Sequence, residues 1–121
     1  MKLELVPIPV TDIDRAKAFY VDQLGFNADH DQVVSPELRF VQLTPPGSAC
    51  SIVIGLGTTA MAPGSVQSYQ MVVADAAAAH AELSGRGVEV SEVQDLGWGK
   101  FVFFKDPDGN GWALQELPSR P

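Results

Sequence analysis

Apolar residues recur at helical spacing in two stretches of the chain, one in each half. They are Ile13, Ala16, Phe19, Tyr20 and Leu24 in the first stretch, and Ala76, Ala79 and Leu83 in the second. This spacing puts them along one side of a helix, where they can pack against a core. An aspartate, Asp12 or Asp75, precedes each stretch, and its carboxylate can accept a hydrogen bond from a free backbone amide of the first turn. The pattern therefore predicts two amphipathic helices with aspartate N-caps.

The arrangement around these helices repeats along the chain, since Asp12 and Asp75 lie 63 positions apart. A glycine, Gly25 or Gly87, follows each predicted helix, as expected where a helix ends in a left-handed residue. Apolar and alternating runs predict one strand before each helix and three strands after it. The predicted strands cover about 2–10, 26–32, 38–44 and 50–56 in the first half, and about 65–73, 88–94, 99–105 and 111–117 in the second.

The chain is thus predicted to be one α+β domain made of two βαβββ modules. The first module covers 1–57 and the second covers 65–121, while 58–64 is rich in Thr, Ala, Pro and Gly and is typical of a linker. One module alone would leave a face of its small sheet uncovered, so we expect two modules to pair. On the sequence alone, they could pair within one chain or between two chains.

The composition fits a single globular domain. The chain has 121 residues, of which 45% are apolar and 19% charged, enough to bury a core without covalent cross-links. Cys50 is the only cysteine, so no disulfide can form within the chain. No apolar run approaches the length of a membrane span, and the first residues lack the pattern of a signal peptide. We therefore expect a cytoplasmic protein with no membrane partner.

The formal net charge of −7 argues against nucleic acid as a partner. Binding to a phosphate backbone requires clustered lysine and arginine, whereas the basic residues of this chain are scattered singly. An acidic surface favours solubility and tolerates cationic small molecules. Nucleic acid is therefore not an expected partner.

Two sequence motifs, one in each half, carry a family resemblance. The segment 10–26 contains Val-Thr-Asp, Phe-Tyr and Leu-Gly-Phe, and the segment 103–112 reads Phe-Phe-Lys-Asp-Pro-Asp-Gly-Asn-Gly-Trp. They resemble the first-module motif and the terminal F-x-D-P-D-G-N hairpin of the glyoxalase/bleomycin resistance protein/dioxygenase (vicinal oxygen chelate) superfamily. The resemblance covers nearly the whole chain. It implies a curved, barrel-like mixed sheet around a cavity, and a homodimer.

Members of this family that catalyse reactions hold a divalent metal with His, Glu or Gln side chains from inside the sheet. The resemblance places the four ligand positions at Leu5, Ser68, 52–54 and Ala113. Leucine, alanine and the run Ile-Val-Ile have no donor atom in their side chains, and a single serine hydroxyl is a poor ligand. We therefore expect no metal site and no cofactor.

The two histidines are not expected to replace these ligands. His30 lies in a polar stretch and His80 lies off the apolar side of the second helix, so histidines in contact with solvent are the simpler interpretation. Asp29 and Asp31 flank His30, but neighbouring residues of a regular strand point to opposite faces.

Other residue types often used in catalysis have plainer interpretations here. Cys50 precedes an apolar run without a nearby histidine or basic cluster, so we expect it to pack as a small apolar side chain. Asp106 and Asp108 flank Pro107 in a tight turn and are expected to serve that turn. No G-x-S-x-G motif and no glycine-rich phosphate loop is present. No catalytic residue is therefore assigned.

Alternation along the strands predicts which side chains line the cavity. In chain order, the predicted ligand-binding residues are Leu5, Pro7, Phe40, Gln42, Ser68, Gln70, Trp98, Phe101, Phe103, Ala113 and Gln115. The sequence leaves open which way the middle strands face, and Trp98 could stack on a flat ligand, cap the core or lie in a dimer interface. This mixture suits an uncharged or aromatic ligand, unless the side chains only fill a small barrel.

Two functions of different classes fit these residues. The first is a protein that binds or sequesters a small molecule, similar to the bleomycin resistance members of the family. The second is a metal-independent isomerase or lyase in which Ser68, Tyr69 or Gln70 orients a small metabolite. A glyoxalase-like lyase of the lactoylglutathione lyase type would require a metal site elsewhere in the chain. Because the cavity has no evident acid–base group, the sequence favours binding.

Overall fold

The computed structural model describes residues 1–118 and contains two modules with the same order of elements. The first module consists of β1 (Leu5–Pro7), α1 (Ile13–Ala18), β2 (Asn27–Ser35), β3 (Leu38–Thr44) and β4 (Ser51–Leu56), and a π-helical turn (Phe19–Gln23) extends α1. The second consists of β5 (Tyr69–Val73), α2 (Ala76–Gly85), β6 (Gln94–Asp95), β7 (Lys100–Lys105) and β8 (Gly111–Glu116). The predicted second module, 65–121, extends into 119–121, which lie outside the described residues.

The strands form two four-stranded mixed sheets, ordered β1-β4-β3-β2 and β5-β8-β7-β6. In each sheet the strand before the helix pairs in parallel with the last strand of its module, and the other pairs are antiparallel. The α+β class and the two βαβββ modules are thus confirmed. The sheets are curved, but they are not closed into a barrel. Within residues 1–118, no helix is long and apolar enough to cross a membrane.

The helix ends follow the sequence prediction. The carboxylates of Asp12 and Asp75 each accept a hydrogen bond, 3.0 Å long, from the backbone amide three residues further on. Gly25 and Gly87, which follow the two helical segments, have φ angles of +80° and +83°, a region that favours glycine. The aspartate side chains therefore fix where each helix begins, and the backbone freedom of glycine fixes where each helical segment ends.

The strand predicted at 88–94 is not formed as a continuous strand, since β6 covers only Gln94 and Asp95. Ser91 donates its amide to the carbonyl of Phe103, but the amide of Phe103 bonds to the Ser91 hydroxyl, both at 2.9 Å. A side-chain oxygen thus replaces a ladder carbonyl, which interrupts the regular strand. Only an isolated bridge between Val90 and Phe104 precedes β6.

The two modules share one hydrophobic core on the sheet faces that carry the helices. The ring centroids of Tyr20 and Phe26 in the first module lie 6.0 and 6.3 Å, respectively, from that of Trp112 in the second. The ring centroids of Phe19 and Phe104 are likewise 6.3 Å apart. Trp112 and Leu114 belong to this core, as the alternation in β8 predicts. We call the opposite face of each sheet its open face. The modules thus contact each other through their helix-bearing faces.

The terminal hairpin holds the two modules together through the buried carboxylate of Asp106. One oxygen accepts hydrogen bonds from the Tyr20 hydroxyl at 2.7 Å and the Asn110 side-chain amide at 2.9 Å. The other accepts the backbone amides of Asp108 and Asn110, both at 2.9 Å. Burial, and then the nearby Asp106 carboxylate, raise the pKa of the Tyr20 phenol, so its proton stays available to Asp106.

Two further residues of the hairpin bind the first module. Asp108 accepts hydrogen bonds from the amide and the hydroxyl of Thr11, at 3.1 and 2.6 Å, and Asn110 donates to the Pro9 carbonyl at 2.8 Å. The prediction that these aspartates serve the turn is confirmed for Asp106, whereas the Asp108 carboxylate binds the other module instead. The D-P-D-G-N motif has an additional structural role, because its side chains join the modules.

Candidate functional site

The open face of the first sheet is a set of cross-strand rows. The central row consists of Pro7, Val53, Gln42 and His30, which are register neighbours on β1, β4, β3 and β2. A parallel row includes Leu5 and its partner Ser51. Val6 and Ile52, which alternate with these residues along β1 and β4, contact the core. The side chains of Leu5, Pro7, Ser51 and Val53 therefore lie on the open face.

The open face of the second sheet is more aromatic. Phe103, Ala113 and Gln70 are register neighbours on β7, β8 and β5, and Phe101 is the neighbour of Gln115. The Phe101 and Phe103 rings are stacked, with centroids 6.0 Å apart. The middle strands β3 and β7 therefore place Phe40, Gln42, Phe101 and Phe103 on the open faces.

Trp98 lies in the turn between β6 and β7, beside the second open face. Its side chain is 65% exposed, and its ring centroid is 6.4 Å from that of Phe101, whose ring it helps to bury. The turn has Gly97 at a φ of +88°, and the Trp98 carbonyl accepts a hydrogen bond from Gln115 at 3.2 Å. An exposed ring held at this position can contact a flat ligand or a second protein molecule.

The predicted residues do not enclose one cavity within a single chain. Ser68 and Gln70 line a cleft of about 500 Å³ between the edges of the two sheets, and Ser68 and Phe103 line a second cleft of about 610 Å³. The remaining predicted residues lie on the open faces and in the adjoining turn. Tyr69 lies on the helix-bearing face, where its hydroxyl donates to the Pro7 carbonyl at 3.0 Å. Tyr69 also lines the first of these clefts, together with Ser68 and Gln70.

A hydrogen-bonded chain on the first open face was missed by the sequence analysis. Gln42 donates to the Ser51 hydroxyl at 3.2 Å, the Ser51 and Thr44 hydroxyl oxygens lie 2.6 Å apart, and Thr44 donates to the Asp29 carboxylate. We call these four residues the polar relay. Ser51 is buried, whereas Asp29 is exposed. The relay is the main polar feature of this face.

A β-bulge explains why Asp29 belongs to this face. The register shifts between Ala28 and His30, so Asp29 is an extra residue in β2. Such a residue breaks the alternation of a strand and can redirect a side chain. The expectation that both aspartates point away from the face of His30 is therefore wrong for Asp29. Neither spacing nor composition in the sequence signals this bulge.

The expectation holds for Asp31, which is bound on the helix-bearing side. It accepts hydrogen bonds from Arg39 at 2.9 and 3.1 Å and from Lys17 at 2.9 Å. The hydrogen bond from Arg39, and then the one from Lys17, lower the pKa of the Asp31 carboxyl. Asp31 is thus a structural ion-pair residue.

The other two residues considered for chemistry have local structural contacts. Nδ1 of His80 lies 2.8 Å from the Ser91 carbonyl oxygen and connects α2 to the segment before β6. It is therefore not the freely solvated histidine that we expected. Cys50 is half-buried, and its thiol lies 3.6 Å from the Ser51 carbonyl oxygen.

The positions to which the family resemblance assigns metal ligands carry side chains that do not suit a metal ion. Leu5, Val53 and Ala113 present only carbon atoms, and Ser68 presents one hydroxyl. A divalent cation needs several nitrogen, carboxylate or thiolate ligands. In the part of the chain that the structure describes, no three His, Cys, Asp or Glu side chains are grouped so that they could hold a metal ion.

Comparison with known proteins places these features in a family. The model of the Glyoxalase/Bleomycin resistance protein/Dioxygenase superfamily matches residues 2–114. The uncharacterized protein YetH of Bacillus subtilis (strain 168) is 33% identical over 115 residues, which cover 92% of this chain and 94% of YetH. TnmS3, an antibiotic binding protein from Streptomyces sp. CB03234, is 34% identical with a TM-score of 0.89, over 98% of this chain and 97% of TnmS3. A glyoxalase/bleomycin resistance protein from the same strain is 35% identical with a TM-score of 0.84, over 95% and 100% of the two chains.

Proposed function

The chain belongs to the glyoxalase/bleomycin resistance protein/dioxygenase superfamily, and on this premise we propose that it binds a small molecule on the open faces of its sheets without a metal. The observation that carries the proposal is the placement of aromatic and amide side chains there. Gln42, Gln70 and Phe103 lie on the open faces, where Gln42 is half-buried and the other two are exposed. Its similarity to TnmS3, an antibiotic binding protein, supports the same class of function.

A metal-independent isomerase or lyase is supported less well. Tyr69 lines the same cleft as Ser68 and Gln70, but its hydroxyl proton is used in the hydrogen bond to the Pro7 carbonyl. Ser68 and Gln70 are neutral and exposed, and neither can act as a general base near neutral pH. The residues at the family's ligand positions do not suit a metal-dependent lyase. Binding or sequestration is the function that the residues support best.

We propose that the ligand site is completed by a second copy of the chain. Phe103 and Val72, both on the second open face, are 36% and 65% exposed, and the neighbouring Trp98 is 65% exposed. Such an apolar surface is typical of a site that a ligand or partner covers. In a symmetric dimer, the same surface patch of each copy can serve as the contact.

The proposed dimer can be tested by light scattering at tens of micromolar protein. We expect the mass of two chains, and Phe103→Asp should raise the dissociation constant at least about tenfold, because it buries a charge in the contact. Leu56→Asp is the matched control, since Leu56 is 49% exposed but lies on the helix-bearing side in β4. A monomer mass for the unaltered chain, or equal effects of the two substitutions, would contradict the dimer.

Ligand binding can be tested with protein dialysed against a metal chelator. A thermal-shift screen of flat aromatic compounds should give hits, and calorimetry should then show that Trp98→Ala weakens binding about tenfold. A stacked ring contributes about 0.5–1.5 kcal/mol beyond its buried area, and 1.4 kcal/mol corresponds to about a factor of ten.

Two further variants test the position of the site. Trp98→Phe keeps a ring at the same position and should retain most of the affinity. Ser68→Ala removes the hydroxyl and adds no bulk, so it should weaken binding by a neutral hydrogen bond of about 1 kcal/mol. Unchanged affinity in both Trp98→Ala and Ser68→Ala would mean that the ligand lies elsewhere.

A further inference from the structure

The direction of every hydrogen bond in the polar relay is fixed by its chemistry. The Asp29 carboxylate can only accept, so Thr44 must give it its single hydroxyl proton. Thr44 can then only accept from Ser51, and Ser51 in turn accepts from the side-chain amide of Gln42. All donors along the relay therefore point toward Asp29.

Because every donor points toward Asp29, the relay has free acceptors but no free hydroxyl donor. Both hydroxyl protons are used inside the relay, whereas Asp29 keeps free lone pairs and Gln42 keeps its side-chain carbonyl oxygen. Hydrogen bonds in such chains strengthen one another, and the last acceptor carries a negative charge. The Asp29 end of the relay therefore matches a ligand group that donates hydrogen bonds and carries a positive charge.

The charge of Asp29 is not neutralised by a neighbouring cation. The ion pairs among residues 1–118 involve Asp14, Asp31, Glu82 and Asp108, and none involves Asp29. The β-bulge that turns Asp29 onto the open face places a carboxylate in a region otherwise made mostly of apolar and neutral side chains. The negative formal charge of the whole chain adds to the attraction for a cation.

We infer that the polar relay is a subsite for a primary ammonium group of the ligand. An ammonium ion has three donors, no acceptor and a positive charge, so it complements the charged acceptor at the Asp29 end of the relay. Phe40 lies on the same face, two residues before Gln42 in β3, and can contact an attached aromatic ring. This inference rests on the proposed binding function and refines the expected ligand from a neutral to an amine-bearing aromatic compound.

Two probes that differ only in their polar group test the subsite. Naphthylmethylamine carries an ammonium group near neutral pH, and naphthylmethanol carries a neutral hydroxyl. We expect the unaltered protein to bind the amine about tenfold more tightly than the alcohol, as charge-assisted hydrogen bonds allow. Asp29→Asn keeps an acceptor for Thr44 but removes the charge, so it should reduce this preference to below about twofold while leaving affinity for the alcohol unchanged.

The control is Asp22→Asn, which removes the same charge from an exposed position on the first helical segment, where Asp22 has no side-chain hydrogen bond among the described residues. It should keep the preference for the amine. An amine preference that survives Asp29→Asn, or equal binding of both probes by the unaltered protein, would overturn the subsite and leave the proposed function intact. Failure of both probes to bind would contradict the subsite and would also count against the proposed function.

Discussion

Replacing Asp106 with alanine is expected to lower the free energy of unfolding by about 3 kcal/mol or more. The substitution removes an acceptor of four hydrogen bonds and leaves the buried donors of Tyr20 and Asn110 without their partner. Hydrogen bonds to charged groups contribute about 1.5–3 kcal/mol each, and unpaired buried groups add a desolvation cost. Chemical denaturation followed by far-UV circular dichroism measures the change.

Two comparisons make this result specific to the link between the modules. Tyr20→Phe removes one hydroxyl of the same network and should cost less, about 1–2 kcal/mol. Asp22→Ala removes an exposed aspartate and should change stability by less than about 0.5 kcal/mol. A loss below about 1 kcal/mol for Asp106→Ala would show that the modules stay together without this network.

Replacing Gly111 with alanine is expected to lower the free energy of unfolding by about 2–3 kcal/mol. A methyl group at Gly111 would collide with the backbone carbonyl oxygen of Gln67, and the amide of Gly111 already bonds to the Val66 carbonyl at 2.8 Å. Because the colliding atom belongs to the backbone, it cannot move aside as a flexible side chain could, and overpacking of this kind typically costs about 1–3 kcal/mol.

The matched control for this substitution is Gly85→Ala. Gly85 ends α2, and a methyl group there meets no atom within 4 Å. Alanine has a higher helix propensity than glycine, so this variant should gain about 0.5–1 kcal/mol. Loss of stability in Gly85→Ala, or no loss in Gly111→Ala, would contradict the spatial argument.

The sequence was most informative where structure depends on neighbouring residues. The N-caps Asp12 and Asp75 act within one helical turn, and the alternation in β8 depends on strand geometry alone, so both could be predicted. The two-module organisation followed from the repeat. These features require no knowledge of how distant segments meet.

The sequence was less informative where tertiary contacts decide the result. Pairing through the helix-bearing faces depends on how aromatic rings from both modules pack around Trp112, and no local pattern specifies that packing. The polar relay depends on a one-residue register shift at Asp29, which alternation cannot reveal. The role of Ser91 in shortening β6 likewise depends on a partner strand.

The different environments of the two tryptophans have a practical optical consequence. Trp112 is 4% exposed and stacks on Phe104, whereas Trp98 is 65% exposed beside the second open face. A buried indole emits at shorter wavelengths than a hydrated one and is shielded from ionic quenchers such as iodide. Fluorescence from Trp112 therefore follows the integrity of the core, and fluorescence from Trp98 responds to whatever approaches the open face. A single emission spectrum can separate loss of folding from occupation of the surface without any attached label.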